Sequence, residues 1–185
     1  ALADISISGA TEFRYNSRSS NTAALDGTTF ATDGEITFKF SNKTDSGLTV
    51  AYEVQLMSDA ADSAIDESFM SISGGFGKVM LGGDDGAGEN YGLAAVDLIA
   101  EETGTTATSA TIATNSDIDG LSGNAVKVQY DLPAMGGLTA GVSFRDSGTN
   151  TGTDSTEYGI RYTTEAAGNS ITIGAASGTT EVSGA

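Results

Sequence analysis

The sequence predicts an all-β chain, folded as a transmembrane antiparallel up-and-down β-barrel whose apolar face meets lipid. Three observations predict it. Apolar residues recur with a period of two along nine segments, long and short connections alternate between those segments, and the chain is poor in the residues that fill a soluble core. Leu, Ile, Val and Phe number 36 among 185 residues. That is about 19%, a level that together with high net charge signals disorder unless an apolar solvent comes from outside the chain.

The period identifies the strands in turn. Ile5, Ile7, Phe13 and Tyr15 share one parity, against Asp4, Ser6, Ser8, Glu12 and Arg14. Ile36, Phe38 and Phe40 alternate with Glu35, Thr37, Lys39 and Ser41, and Leu48 through Leu56 repeats the pattern against Thr49, Ala51, Glu53 and Gln55. Two weaker strands, Phe69 to Ser73 and Lys78 to Leu81, meet at the turn Gly74-Gly75-Phe76-Gly77. Val126, Val128, Tyr130 and Leu132 oppose Lys127, Gln129 and Asp131, and Leu138, Ala140, Val142 and Phe144 oppose Thr139, Gly141, Ser143 and Arg145. Tyr158, Ile160 and Tyr162 oppose Glu157, Gly159 and Arg161, and Ile171, Ile173 and Ala175 form the ninth strand.

Period alone does not separate a soluble sandwich from a membrane barrel, but connection lengths do. The strand and turn signals place roughly twenty residues at 16–33, six at 42–47, ten at 57–66, four at 74–77, about forty at 83–124, five at 133–137, ten at 146–155 and six at 164–169. In a meander every second connection lies at the same end, so one end carries loops and the other tight turns. A Greek-key sandwich has no reason to keep that parity. Aromatic residues near strand ends (Phe13, Tyr15, Phe38, Phe40, Phe144, Tyr158, Tyr162) match interfacial girdles, although aromatics also favour any half-buried strand. The apolar parity is interspersed with Ala, Gly and Thr, giving little bulk to fill an inter-sheet core, and lipid requires none.

Twenty-five acidic residues against eight basic ones give a net charge of −17, which repels a phosphate backbone, so no nucleic-acid partner is expected. The absence of His and Cys removes the usual zinc sites, thiol nucleophiles, imidazole bases and disulfide frameworks. No apolar run is long enough for a transmembrane helix. Ala1-Leu2-Ala3-Asp4 resembles the junction left by a removed secretory signal, as expected of an exported protein, and is equally compatible with an arbitrary boundary.

Residues 83–124 interrupt the strand pattern, and a gap of that length inside a compact domain implies a functional loop. It carries Asp84, Asp85, Glu89, Asp97, Glu101, Glu102, Asp117 and Asp119 and no Lys or Arg. Within it, Leu93, Val96 and Ile99 fall at helical spacing over Leu93 to Glu102. Folded into a barrel, such a loop would narrow the lumen and set carboxylates across from wall cations, of which Arg14, Arg18, Lys39 and Lys43 lie on or beside the first two strands. Opposed charges across a wet constriction filter solutes by size and charge without chemistry. A solvated acidic surface loop would carry the same composition. Asp84, Asp85 and Glu89 could instead hold a Ca²⁺ ion, though the surrounding Gly/Asp pattern is not iterated as a β-helix would need. No Lys-Ser/Thr follows Gly82 to Gly88, so it is no phosphate loop. Carboxylate pairs occur in any chain this acidic, and no enzymatic activity is expected.

Thr44-Asp45-Ser46-Gly47-Leu48, the run Ser73-Gly74-Gly75-Phe76-Gly77-Lys78-Val79-Met80-Leu81-Gly82 and the acidic loop that follows closely resemble the general diffusion porins of Rhodobacter-like alphaproteobacteria. Asp4-Ile5-Ser6-Ile7-Ser8-Gly9 and Val126-Lys127-Val128-Gln129-Tyr130 fit as well, so the likeness runs along most of the chain. It implies a barrel of about sixteen strands in the outer membrane, usually a homotrimer in contact with lipid and lipopolysaccharide, passing small hydrophilic solutes. It implies that residues 83–124 fold inward as the constriction, that Arg14, Arg18 and Lys39 form the facing basic cluster, and that no cofactor is required, with calcium bound near the constriction in some members. The chain is expected to form one barrel domain over 1–185. Its nine strands and its ending without a terminal aromatic lead to the expectation of an N-terminal portion of a longer protein, favoured over a barrel that closes with another chain. The competing expectation is a secreted, acidic, β-rich surface protein or adhesin.

Overall fold

A computed structural model of the protein describes residues 4–19, 27–57, 65–92, 123–149 and 152–182. Among the described residues nine strands form one sheet in sequential order, each antiparallel to the next. They are β1 (Asp4–Arg18), β2 (Gly27–Lys43), β3 (Thr49–Met57), β4 (Glu67–Gly74), β5 (Gly77–Gly83), β6 (Val126–Asp131), β7 (Leu138–Arg145), β8 (Thr153–Ala166) and β9 (Asn169–Val182). A short helix, α1 (Ala87–Tyr91), follows β5.

Connection parity holds. One end carries residues 19–26, 58–66, 84–125 and 146–152, and the other carries 44–48, the pair Gly75 and Phe76, 132–137 and the pair Ala167 and Gly168. Two connections are less than half as long as the sequence suggests. The segment 16–33 shrinks to 19–26 because β1 and β2 continue pairing as far as Arg18 opposite Gly27. The segment 164–169 shrinks to Ala167 and Gly168, both at positive φ, which lets β8 and β9 pair out to Ala166 opposite Asn169.

Register converts alternation along each strand into two continuous faces. Ile5, Phe40, Tyr52, Met70, Leu81, Val128 and Phe144 are successive partners across seven strands. Every one of them is exposed on the outer face, as are Ile7 at 66% and Phe30 at 69%. A slip of one residue at any pairing would turn a charged set toward that face, so the register is strongly specified. Among the described residues the only buried apolar side chains are Met80 and Ala87, whereas Ser71, Lys127, Gln129, Asp131, Ser143, Ser155 and Glu157 are buried polar ones. This inverts the ordering of a water-soluble domain. Lipid resolves the inversion, each large outward side chain contributing about 1.5–3 kcal/mol when removed from water.

Aromatic residues mark both limits of the apolar belt. Near the loop end Phe30 stacks with Phe13 at 5.7 Å and meets Tyr15 at 5.3 Å, and toward the turn end Phe40 stacks on Tyr52 at 6.5 Å. From Phe30 to Phe40 the strand advances about 33 Å, which a tilt of about 40° reduces to roughly 25 Å, the height of a barrel's lipid-facing band.

Candidate functional site

The acidic loop begins by folding onto the polar, inner face of the sheet. Helix α1 packs against β7, β8 and β9. Its seat is a row of small residues: Gly141 pairs with Gly159, which pairs with Ala176. A Cβ on Gly159 would collide with the carbonyl oxygen of Ala87, and one on Gly141 would lie 2.6 Å from the Tyr91 ring. The helix therefore approaches the wall more closely than any larger residue allows.

Polar groups of the wall hold the helix at both ends. The Ala87 N–H donates to Ser143 Oγ and the Gly88 N–H to Glu157 Oε2, each at 3.0 Å. At the other end the Arg161 guanidinium donates to the carbonyl oxygens of Gly92 at 2.6 Å and Tyr91 at 3.4 Å. The Tyr91 hydroxyl bonds to Asp131, and burial together with that carboxylate pushes its pKa up. Asp131 also accepts from Gln129 Nε2 at 2.8 Å and pairs with Lys78 at 3.0 Å. Lys127 is buried on β6 and donates from Nζ to the carbonyl oxygens of Asp84 and Gly123, drawing the two ends of the loop together.

The acids expected in the constriction divide as follows. Asp84 and Asp85 are half-buried beside Lys127, the Asp85 N–H donating to Asp84 Oδ1 at 2.8 Å. Burial pushes both carboxyls above the usual aspartate range, against the attraction of Lys127. Glu89 is exposed in the first turn of α1. Asp97, Glu101 and Glu102, and the helical spacing from Leu93 to Glu102, lie outside the described residues. The helix that is described comes earlier in the chain.

Of the basic residues, Arg14 pairs with Glu12 at 2.7 Å and Asp33 at 3.4 Å, and Lys39 pairs with its cross-strand partner Glu53 at 2.9 Å. Both stand on the inner parity of β1 and β2 and engage acids of their own wall. Arg18 closes β1 opposite Gly27, and its side chain lies outside the described residues.

The oxygen donors that come together are not the expected trio. Carboxylates of Glu67, Asp84 and Asp85 lie within 4.8 Å of one another. Glu67 reaches the group because β4 pairs with β5 so that Ser68 faces Gly83, just ahead of Asp84. Glu89 approaches Asp85 from the helix.

Sequence reasoning missed Ser143, Glu157, Arg161 and Lys127 as site residues. Their signal was available: polar or charged residues on the inner parity, with a glycine between Glu157 and Arg161 on the same face. No curated protein matches the chain. The family model described as Gram-negative porin matches residues 1–185, the whole of the sequence. With an inverted meander and a loop turned onto its polar face, the chain belongs to the Gram-negative porin family.

Proposed function

We infer that the protein lines a water-filled outer-membrane channel through which small hydrophilic solutes and ions diffuse, with the loop at 83–124 as its narrowest part. One observation carries the reading: the loop's described start lies on the charged inner face while the apolar side chains point the other way. The same inversion supports a channel over a secreted acidic adhesin, whose apolar face would have to be hidden from water. Selectivity is electrostatic. The reading sets the acids that the loop carries, Asp84, Asp85, Glu89, Asp97, Glu101 and Glu102, against the wall cations Arg14, Arg18 and Lys39, and involves no covalent step.

Within this reading the protein is a homotrimer of the alphaproteobacterial type, seated in lipid and lipopolysaccharide. The carboxylates of Glu67, Asp84 and Asp85 offer the oxygen-only ligands that Ca²⁺ takes. Reversal potentials across a planar bilayer test the function. Cations are expected to be preferred at low ionic strength, the preference weakening as salt screens the loop and reduced by Asp84→Asn with Asp85→Asn. Anion preference in the unaltered protein would overturn it.

A further inference from the structure

We propose that Glu157, Gly159 and Arg161 of β8 form a two-ended clamp that positions the acidic loop, so that the far wall and not the loop's own sequence sets where the constriction lies. The proposal rests on the reading of this loop as the constriction. It goes beyond that reading in assigning positioning residues some seventy residues away in sequence.

The helix cannot hold itself. Five residues are far too few for a stable isolated helix. Its N-cap is Gly86, which makes no side-chain capping bond, and no basic residue occupies its last turn. The wall supplies what is missing. Glu157 brings a carboxylate to the unpaired N–H groups and Arg161 brings a guanidinium to the unpaired carbonyls, each the favourable charge for that end of the helix dipole.

Spacing matches as well. Residues 157, 159 and 161 share one face of a strand and span about 13 Å, while a five-residue helix is about 7.5 Å long. The two side chains therefore close on the helix from beyond its ends, and Gly159 leaves the space between them in which it rests. Tyr158 and Ile160 occupy the outer face and are exposed there. The run Glu-x-Gly-x-Arg on a single strand thus works on the loop from one face and on lipid from the other.

Ala87 is fully buried beneath the clamp, and the chain contains no cysteine, so Ala87→Cys provides a single reporter thiol. In the full chain folded in detergent, with folding checked by heat-modifiable gel mobility, its reaction with a methanethiosulfonate reagent is slow. Adding Glu157→Ala or Gly159→Ala raises the rate at least tenfold, whereas Glu157→Gln, which keeps an acceptor for the Gly88 N–H, does not. The exchange Glu157→Arg with Arg161→Glu keeps the charges of the strand but reverses them against the helix ends, and also exposes the thiol. A merely structural pair of wall charges would survive that exchange, so slow labelling in the exchanged variant, or equal rates in all variants, overturns the clamp. Faster labelling with unchanged open-channel current and selectivity upholds the clamp and removes the constriction reading instead.

Discussion

Asp84 and Asp85 sit where burial raises their pKa, and the sign of that shift has consequences for stability and for transport. A carboxyl whose pKa is higher folded than unfolded favours the folded state when protonated. Its stabilising contribution is fully present below about pH 4, the unfolded value, and is lost as pH rises through the raised value. Ionising either carboxyl in the folded chain therefore carries a cost, which Lys127 offsets in part. Asp84→Asn keeps an oxygen to accept the Asp85 N–H and removes the charge, so it should raise the thermal midpoint in detergent at pH 7 and leave it nearly unchanged at pH 3. A lower midpoint at pH 7 would show that the ionised form is the one the fold prefers. By the same shift, cation preference should begin to fade at a pH above the ordinary aspartate range, readable in reversal potentials from pH 7 downward. The acids of this loop were legible as a group, since eight of them occur in 83–124 without a cation. Their partners were not. Lys127 stands only as an inward charge on a strand until β6 is placed beside β5 and both loop ends come within its reach.

At the scale of elements, alternation and turn chemistry account for nearly every strand. Weak alternation in β4 and β5 has a specific cause: Phe69 and Met80 lie on the inner parity among polar residues. The turn between these strands needs Gly77, at φ +109°, where a Cβ would strike the carbonyl oxygen of Asp131 on β6. Gly77→Ala should destabilise the barrel by about 1–3 kcal/mol, measured as a shift of the urea midpoint in lipid vesicles. An unchanged midpoint would mean that the turn relaxes freely. The two faces of β2 can be compared one residue apart. Ile36→Arg places a charge in the middle of the apolar belt and should cost roughly 2–4 kcal/mol in the same titration, while Thr37→Arg, facing water, should change it by about 0.5 kcal/mol or less. Equal costs would contradict the assignment of faces. Helix α1 was the element least legible in sequence. Gly86 to Tyr91 has no capping residue and no apolar stripe of its own, because its stabilising contacts come from Ser143, Glu157 and Arg161.

For the whole molecule, the figures of composition acquire a physical reading. An apolar content near the disorder threshold is what a wall one residue thick supplies, with half its side chains in lipid and half in water. The charge of −17 is concentrated rather than uniform, since the loop holds acids alone. β1 pairs only with β2 and β9 only with β8 among the described strands, so the sheet presents two long edges. Lipid leaves no edge unpaired, so the proposed channel calls for further strands, from the same polypeptide or another copy, to close a ring about the lumen. The central claim is that this ring encloses water. Planar-bilayer recording of the protein purified from outer membranes tests it: discrete, ohmic current steps that scale with the conductivity of the bathing salt are expected. A protein that stays monomeric and soluble without detergent, and adds no steps to the bilayer, would contradict it.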